Sequence, residues 1–274
     1  MKAALIDNGS LEPAVHQNLR KVAAAVGRIA GMTVTPVSWK HSDRIPAEAG
    51  DGEKAWTLAP WVRDCVAGGE REFVFAPFFA NPQGAVGSAL RADLEALAME
   101  TGGFKFTFTA GLSGDLAAIV IDRVVETIAS RGLHRPAVIV VDHGGPVATS
   151  AELRNAVAMD VLEVLGDSIG PVAAASMESP GGAAFAFNRP LFAELLSSPD
   201  LAGMDTVVAP LFLAPGRHAG PDGDLVRTAR AAESRRAGLR LHFAGLVGTH
   251  PRVPEILSRP LQAARTNHPH PKTP

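Results

Sequence analysis

At 274 residues the chain is long for one hydrophobic core and comfortable for two of ordinary size. Its 26 basic and 28 acidic residues nearly cancel, which removes the electrostatic case for nucleic acid or an acidic membrane surface. A single cysteine, Cys65, excludes an internal disulfide framework and suits a reducing compartment.

The first segment, MKAALIDNGS, has too short an apolar run for a signal peptide, and no run approaches membrane-spanning length. The expectation is a soluble, cytoplasmic protein. Residues 3–10, AALIDNGS, read as a buried strand run ending in Asp7, Asn8 and Gly9. A helical pattern containing NLRKVA follows from Asn18, with His16 on its surface. The segments APFFANP from residue 76 and FTAGLSG from residue 108 close this half.

The pattern then recurs. VIVVDHGG starts at residue 138 against 3, APLFLAP at 209 against 76, and HFAGLVG at 242 against 108, so the shifts are 135, 133 and 134 residues. ELRNAVA from Glu152 matches NLRKVA. The expected organisation is one domain over 1–130, a similar one over 131–263, and a flexible tail over 264–274. In the second half, strands are expected at Ala137–Val141, Pro171–Ser176, Thr206–Leu213 and Leu239–Leu246. Helices are expected from Ser150 to about Leu165, with Val157, Val161 and Val164 on one stripe, over Pro190–Leu196, and over Asp224–Arg236. Such alternation predicts an α/β fold with parallel sheets flanked by helices.

In open parallel sheets, ligands bind beyond the carboxyl ends of the strands. His143, Glu178 and His218 all fall there, on loops rich in glycine and proline. Two imidazoles and a carboxylate suit a borderline divalent metal. DHGGP lacks the lysine and the spacing of a phosphate-binding loop, and GLSGD does not complete a nucleophile elbow.

The run PLFLAPGRHAGPDGD, the VDHGGP turn and GLVGTHPRVPEIL resemble the class II tetrapyrrole chelatases of the sirohydrochlorin cobaltochelatase and ferrochelatase type, in the long two-domain form. The resemblance implies two similar chelatase-like, flavodoxin-like domains with the active cleft between them. It implies ATP-independent insertion of Co²⁺, Fe²⁺ or Ni²⁺, as substrate, into sirohydrochlorin or a related tetrapyrrole, with no organic cofactor. Cobalamin and siroheme biosynthesis are both open destinations. His143, His218 and Glu178 are then both the metal ligands and the catalytic groups. Arg217 is expected to meet a substrate carboxylate, and Asn8 and Met177 to touch substrate. Phe185, Phe187 and Phe212 are available as apolar walls, with Phe212 expected in the core. In the first half Asn8 stands at the place of His143, Ala85 near that of His218, and Lys40 or His41 near that of Glu178, so that half is expected to have lost its ligands. A carrier that binds metal or tetrapyrrole without turnover is the alternative. A homodimer is compatible with the sequence.

Overall fold

The computed structural model describes residues 1–46, 54–81, 86–201 and 203–267. It forms two compact units, one of residues 1–113 with 251–274 and one of residues 114–250. No helix among the described residues is long and apolar enough to cross a membrane.

Unit 1 is built on β1 (Lys2–Asp7), β2 (Val34–Ser38), β3 (Trp56–Thr57), β4 (Glu72–Pro77) and β5 (Lys105–Phe108), all parallel in the order β3-β2-β1-β4-β5. Its helices are α1 (Pro13–Ala30), α2 (Leu58–Ala67) and α3 (Arg91–Glu100). Proline starts α1 where its missing N–H costs nothing. The strand β1 is buried on both faces, which explains its unbroken apolar run. One side of the sheet packs Trp61, Phe73 and Phe75 as an edge-on aromatic cluster with Leu58, Leu90 and Leu94.

Unit 2 contains α4 (Leu116–Arg131), β6 (Ala137–Asp142), α5 (Ala148–Leu165), β7 (Val172–Ser176), α6 (Phe192–Leu195), β8 (Asp205–Pro210), α7 (Asp224–Arg235) and β9 (Arg240–Phe243). Its sheet is parallel in the order β7-β6-β8-β9, with β6 fully buried. The order reverses direction at β6, so the carboxyl ends of β6 and β8 flank the switch point where such sheets bind ligands. The last helix, α8 (Val253–Asn267), returns to unit 1 and packs on α1 and β4. Helix α4, which the sequence repeat assigns to the first half, packs instead on α5 and β8 in unit 2. The units therefore do not divide where the repeat divides.

Several boundaries differ from expectation for local reasons. Helix α5 begins at Ala148 with Val147 as its N-cap residue, not at Ser150. Its inward stripe is Ala151, Arg154, Val157, Ala158 and Val161, while Val164 is 63% exposed. The Pro190–Leu196 segment holds only the four-residue α6, after a cis Arg189–Pro190 bond. Strand β8 ends at Pro210, which leaves Phe212 half-buried beyond the sheet, and β9 spans only Arg240–Phe243. His16 is buried at 3% exposure, contrary to its surface reading. Residues 264–267, assigned to the tail, extend α8, which Gln262 Nε2 and Arg265 Nη1 tie to the carbonyls of Ile29 and Gly31. Residues 268–274 and Ala85 lie outside the described residues.

Candidate metal centre

The loop after β6 continues the strand ladder for two residues. Met177 N donates to Asp142 O at 2.9 Å, and Glu178 N to His143 O at 3.1 Å. These bonds bring His143 and Glu178 side by side. Gly144 then turns away with φ 81°, and a Cβ there would lie 2.0 Å from the carbonyl oxygen of Glu178, so only glycine fits. Asn188, 1% exposed, clamps the next residue: its Oδ1 accepts from Gly145 N at 3.1 Å and its Nδ2 donates to Gly145 O at 2.9 Å.

Beneath the loop lies a buried ionic network. Arg154 is 1% exposed and reaches back from α5 to Asp142, with Nη1 3.4 Å from Oδ1. It also donates to Ser176 Oγ and, through Nη2, to Phe187 O at 3.2 Å. Ser176 Oγ donates to Asp142 Oδ1 at 2.6 Å. Burial pushes the Asp142 carboxyl above its ordinary range, and the Ser176 hydrogen bond and the Arg154 guanidinium oppose that rise. The network anchors the end of β6, and so the base of His143, to β7 and α5.

His218 comes from the loop between β8 and α7. Its Nδ1 lies 2.8 Å from Asp224 Oδ2 at the start of α7. His143 Nδ1 lies 3.0 Å from Gly144 O, an acceptor only. Both Nδ1 atoms are thereby assigned as N–H donors, which leaves both Nε2 atoms as lone-pair donors. Those two Nε2 atoms face each other at 3.2 Å, with the rings edge to face. Two imidazoles bound at ~2.1 Å to one ion, with nitrogens so spaced, subtend about 100° at the metal, a cis or near-tetrahedral angle. Glu178 Oε1 lies 3.4 Å from His143 Nε2, which by the same construction gives about 110°. Among the described residues no three His, Cys, Asp or Glu side chains already surround a single point as a finished cage. The Glu178 side chain is 62% exposed.

Of the other expected site residues, Arg217 has a largely exposed guanidinium, its Nε 3.7 Å from Asp224 Oδ2. Met177 is turned inward and packs on the core of unit 2. Asn8 is exposed at the end of β1 in unit 1. Phe185 and Phe187 pack edge to face beside the Asn188 clamp. Phe212, read from sequence as core, sits edge-on to His143 with ring centroids 6.4 Å apart. An apolar cavity of about 410 Å³ lies behind the His218 loop, lined by Pro215, Pro221, Leu225, Phe243 and Leu246 among others. Asp224 and Arg154 were not anticipated. The signal for Asp224 was its position six residues after a loop histidine, at the start of a helix.

Residues 137–264 match the family model described as CbiX. The match covers most of the second half of the chain. The whole chain also superposes on solved structures. SirB from Bacillus subtilis with Fe³⁺ shares 15% identity at a TM-score of 0.66, covering 97% of this chain and 98% of SirB. The sirohydrochlorin chelatase SirB from Bacillus subtilis subspecies spizizenii, in complex with cobalt, shares 14% identity at a TM-score of 0.66, covering 98% and 97%. A CbiX described as the terminal enzyme for biosynthesis of siroheme in denitrifying bacteria shares 17% identity at a TM-score of 0.63, covering 96% and 99%. At these identities the superpositions establish a shared two-unit fold, and the matched residues 137–264 include both histidines. No protein of curated function matches the sequence.

Proposed function

We propose that the protein is a chelatase that inserts Co²⁺ or Fe²⁺ into sirohydrochlorin, or a related tetrapyrrole, without ATP. The observation that carries this reading is the pair of Nε2 atoms 3.2 Å apart at the switch point of the CbiX-matched segment. The relatives bound to iron and to cobalt support it. Cobalamin and siroheme biosynthesis are the two destinations compatible with that substrate. A cytoplasmic setting belongs to the same reading and is supported by the free thiol of Cys65.

The geometry suggests a sequence of events. His143 and His218 take the metal from water through Nε2, with Glu178 beside them as a third, exchangeable ligand. An incomplete set holds the ion loosely, so the macrocycle can compete for it. Insertion exchanges one M²⁺ for the two N–H protons of the pyrrole nitrogens. The two imidazoles give up the ion and regain free Nε2 lone pairs, so each can accept one of those protons. Asp224 stabilises the imidazolium that forms on His218. Arg217 offers a planar donor fork for a substrate carboxylate.

The test is spectroscopic insertion with purified protein, sirohydrochlorin, and Co²⁺, Fe²⁺ or Ni²⁺ separately. Multiple turnovers that fall by at least about 100-fold in both His143→Ala and His218→Ala fit the proposal. Stoichiometric binding without acceleration over the protein-free reaction identifies a carrier and overturns it.

A further inference from the structure

The two units carry the same backbone at the same sheet edge, with opposite chemistry on it. In unit 1 Trp39 N donates to Asp7 O at 2.7 Å and Lys40 N to Asn8 O at 3.2 Å, the counterparts of the Met177 and Glu178 bonds in unit 2. Gly9 has φ 83°, and a Cβ there would lie 1.8 Å from the carbonyl oxygen of Lys40, as Gly144 does against Glu178. Ser38 pairs with Asp7 across β2 and β1 as Ser176 pairs with Asp142 across β7 and β6. This register puts Asn8 at the place of His143, and Lys40, not His41, at the place of Glu178.

The exchange inverts the site. An imidazole with a free lone pair becomes a carboxamide, and a carboxylate becomes an ammonium, which has no lone pair and repels cations. Unit 1 is thus unsuited to a divalent metal at this edge. Both replacements are exposed, and among the described residues neither has an ion-pair or side-chain hydrogen-bond partner. Lys40 is nevertheless held in place. Its Nζ lies 4.0 Å over the Trp39 ring, and Trp39 is 9% exposed, with Nε1–H donating to Asp93 Oδ2 at 2.8 Å. A cation resting on a buried, pinned indole has lost much of its side-chain freedom before any ligand arrives, and its ammonium still has donors to give.

We infer that this edge of unit 1 is an anion site that takes a carboxylate, with the Lys40 ammonium supplying the charge and the Asn8 carboxamide a directed N–H donor. The inference rests on the proposed function for its natural ligand, one of the peripheral carboxylates of sirohydrochlorin. The two units would then hold one metal-handling edge and one substrate-recognition edge, differing by two side chains on a loop of the same backbone register.

The experiment compares wild type with Lys40→Met, Lys40→Glu, Lys40→Arg and Asn8→Ala, checking first that thermal unfolding is unchanged. Fluorescence titration with uroporphyrin, which bears eight carboxylates, and mesoporphyrin, which bears two, measures binding. Cobalt titration without porphyrin measures the metal site. The expected result is uroporphyrin binding weakened about 5- to 10-fold in Lys40→Met and more in Lys40→Glu, retained in Lys40→Arg, and weakened about 2- to 5-fold in Asn8→Ala. Cobalt affinity stays at the wild-type value. Uroporphyrin binding that is absent in wild type, or unchanged in Lys40→Met and Lys40→Glu, overturns the inference. Insertion assays separate it from the proposed function. Turnover with an unchanged KM for sirohydrochlorin in Lys40→Met and Lys40→Glu leaves the chelatase standing without this site. Lys40-dependent porphyrin binding in a protein that never turns over leaves the site standing without the chelatase.

Discussion

Replacing Arg154 by leucine tests the buried network with an internal reference. The inward stripes of α1 and α5 match at a shift of 135 residues, so Leu19 occupies in unit 1 the place of Arg154 in unit 2. Asp7, at the place of Asp142, therefore has no guanidinium, and its Oδ1 is buried without a partner. Burial pushes the Asp7 carboxyl from 3.8 up to about 6. At 1.36 kcal/mol per pKa unit, that rise corresponds to about 3 kcal/mol against the ionised form. Arg154→Leu should push Asp142 further in the same direction and cost up to about 3 kcal/mol at pH 8, since part of the burial penalty is already present in the wild type. A carboxyl with a raised folded pKa binds more protons in the folded state than in the unfolded one, so its penalty grows as pH rises and vanishes below the unfolded pKa. The variant's deficit relative to wild type should therefore shrink as pH falls through about 6. Urea unfolding at pH 5 and pH 8 measures it, with Arg154→Leu/Asp142→Asn as the compensated control. An equal deficit at both pH values, or no recovery in the double variant, would refute the charge argument and leave only lost packing.

Three further outcomes follow from the same geometry. Asp224→Ala frees the His218 ring to rotate and change tautomer, and should lower cobalt affinity and insertion rate about 10- to 100-fold with little change in thermal unfolding. Asp7→Asn removes a charge that burial disfavours. It should raise stability by up to about 3 kcal/mol above pH 6 and by nothing below pH 4, read from urea midpoints across that range. Gly144→Ala places a Cβ at positive φ and 2.0 Å from a carbonyl oxygen, and should cost about 2–4 kcal/mol and abolish insertion, whereas Ala at open Gly181 should keep activity.

The sequence pattern was most informative where chemistry and backbone demands coincide. His143 and His218 were legible because each follows an apolar strand run and sits among glycines and prolines. The side chains that hold them were not. Arg154 looks like a surface helix residue by type, and only the three-dimensional register reveals that it faces the sheet. Matching NLRKVA to ELRNAVA by their shared Leu-Arg aligns Arg20 with Arg154. Burial aligns Leu19 with Arg154, one residue away, and on a helix that slip is 100° of rotation. His16 was misjudged by the same rule of thumb. It sits on the buried stripe with both ring nitrogens unpartnered, and burial holds it down at about 4. Phe212 was misplaced because an apolar run does not announce where its strand stops.

The crossed ownership of α4 and α8 bears on what can be made of this chain in pieces. The matched CbiX segment, 137–264, lacks the α4 surface that covers α5 and β8, and carries an α8 whose seat on α1 is missing. A cut in the turn between α4 and β6 leaves two fragments, each holding a helix that completes the other. Neither fragment encloses its own core, so each presents to water an apolar helix face and an uncovered sheet. The two repeated halves of this chain are thus not separable modules, and recombination that swaps one half for a homologue must also match the helix it lends.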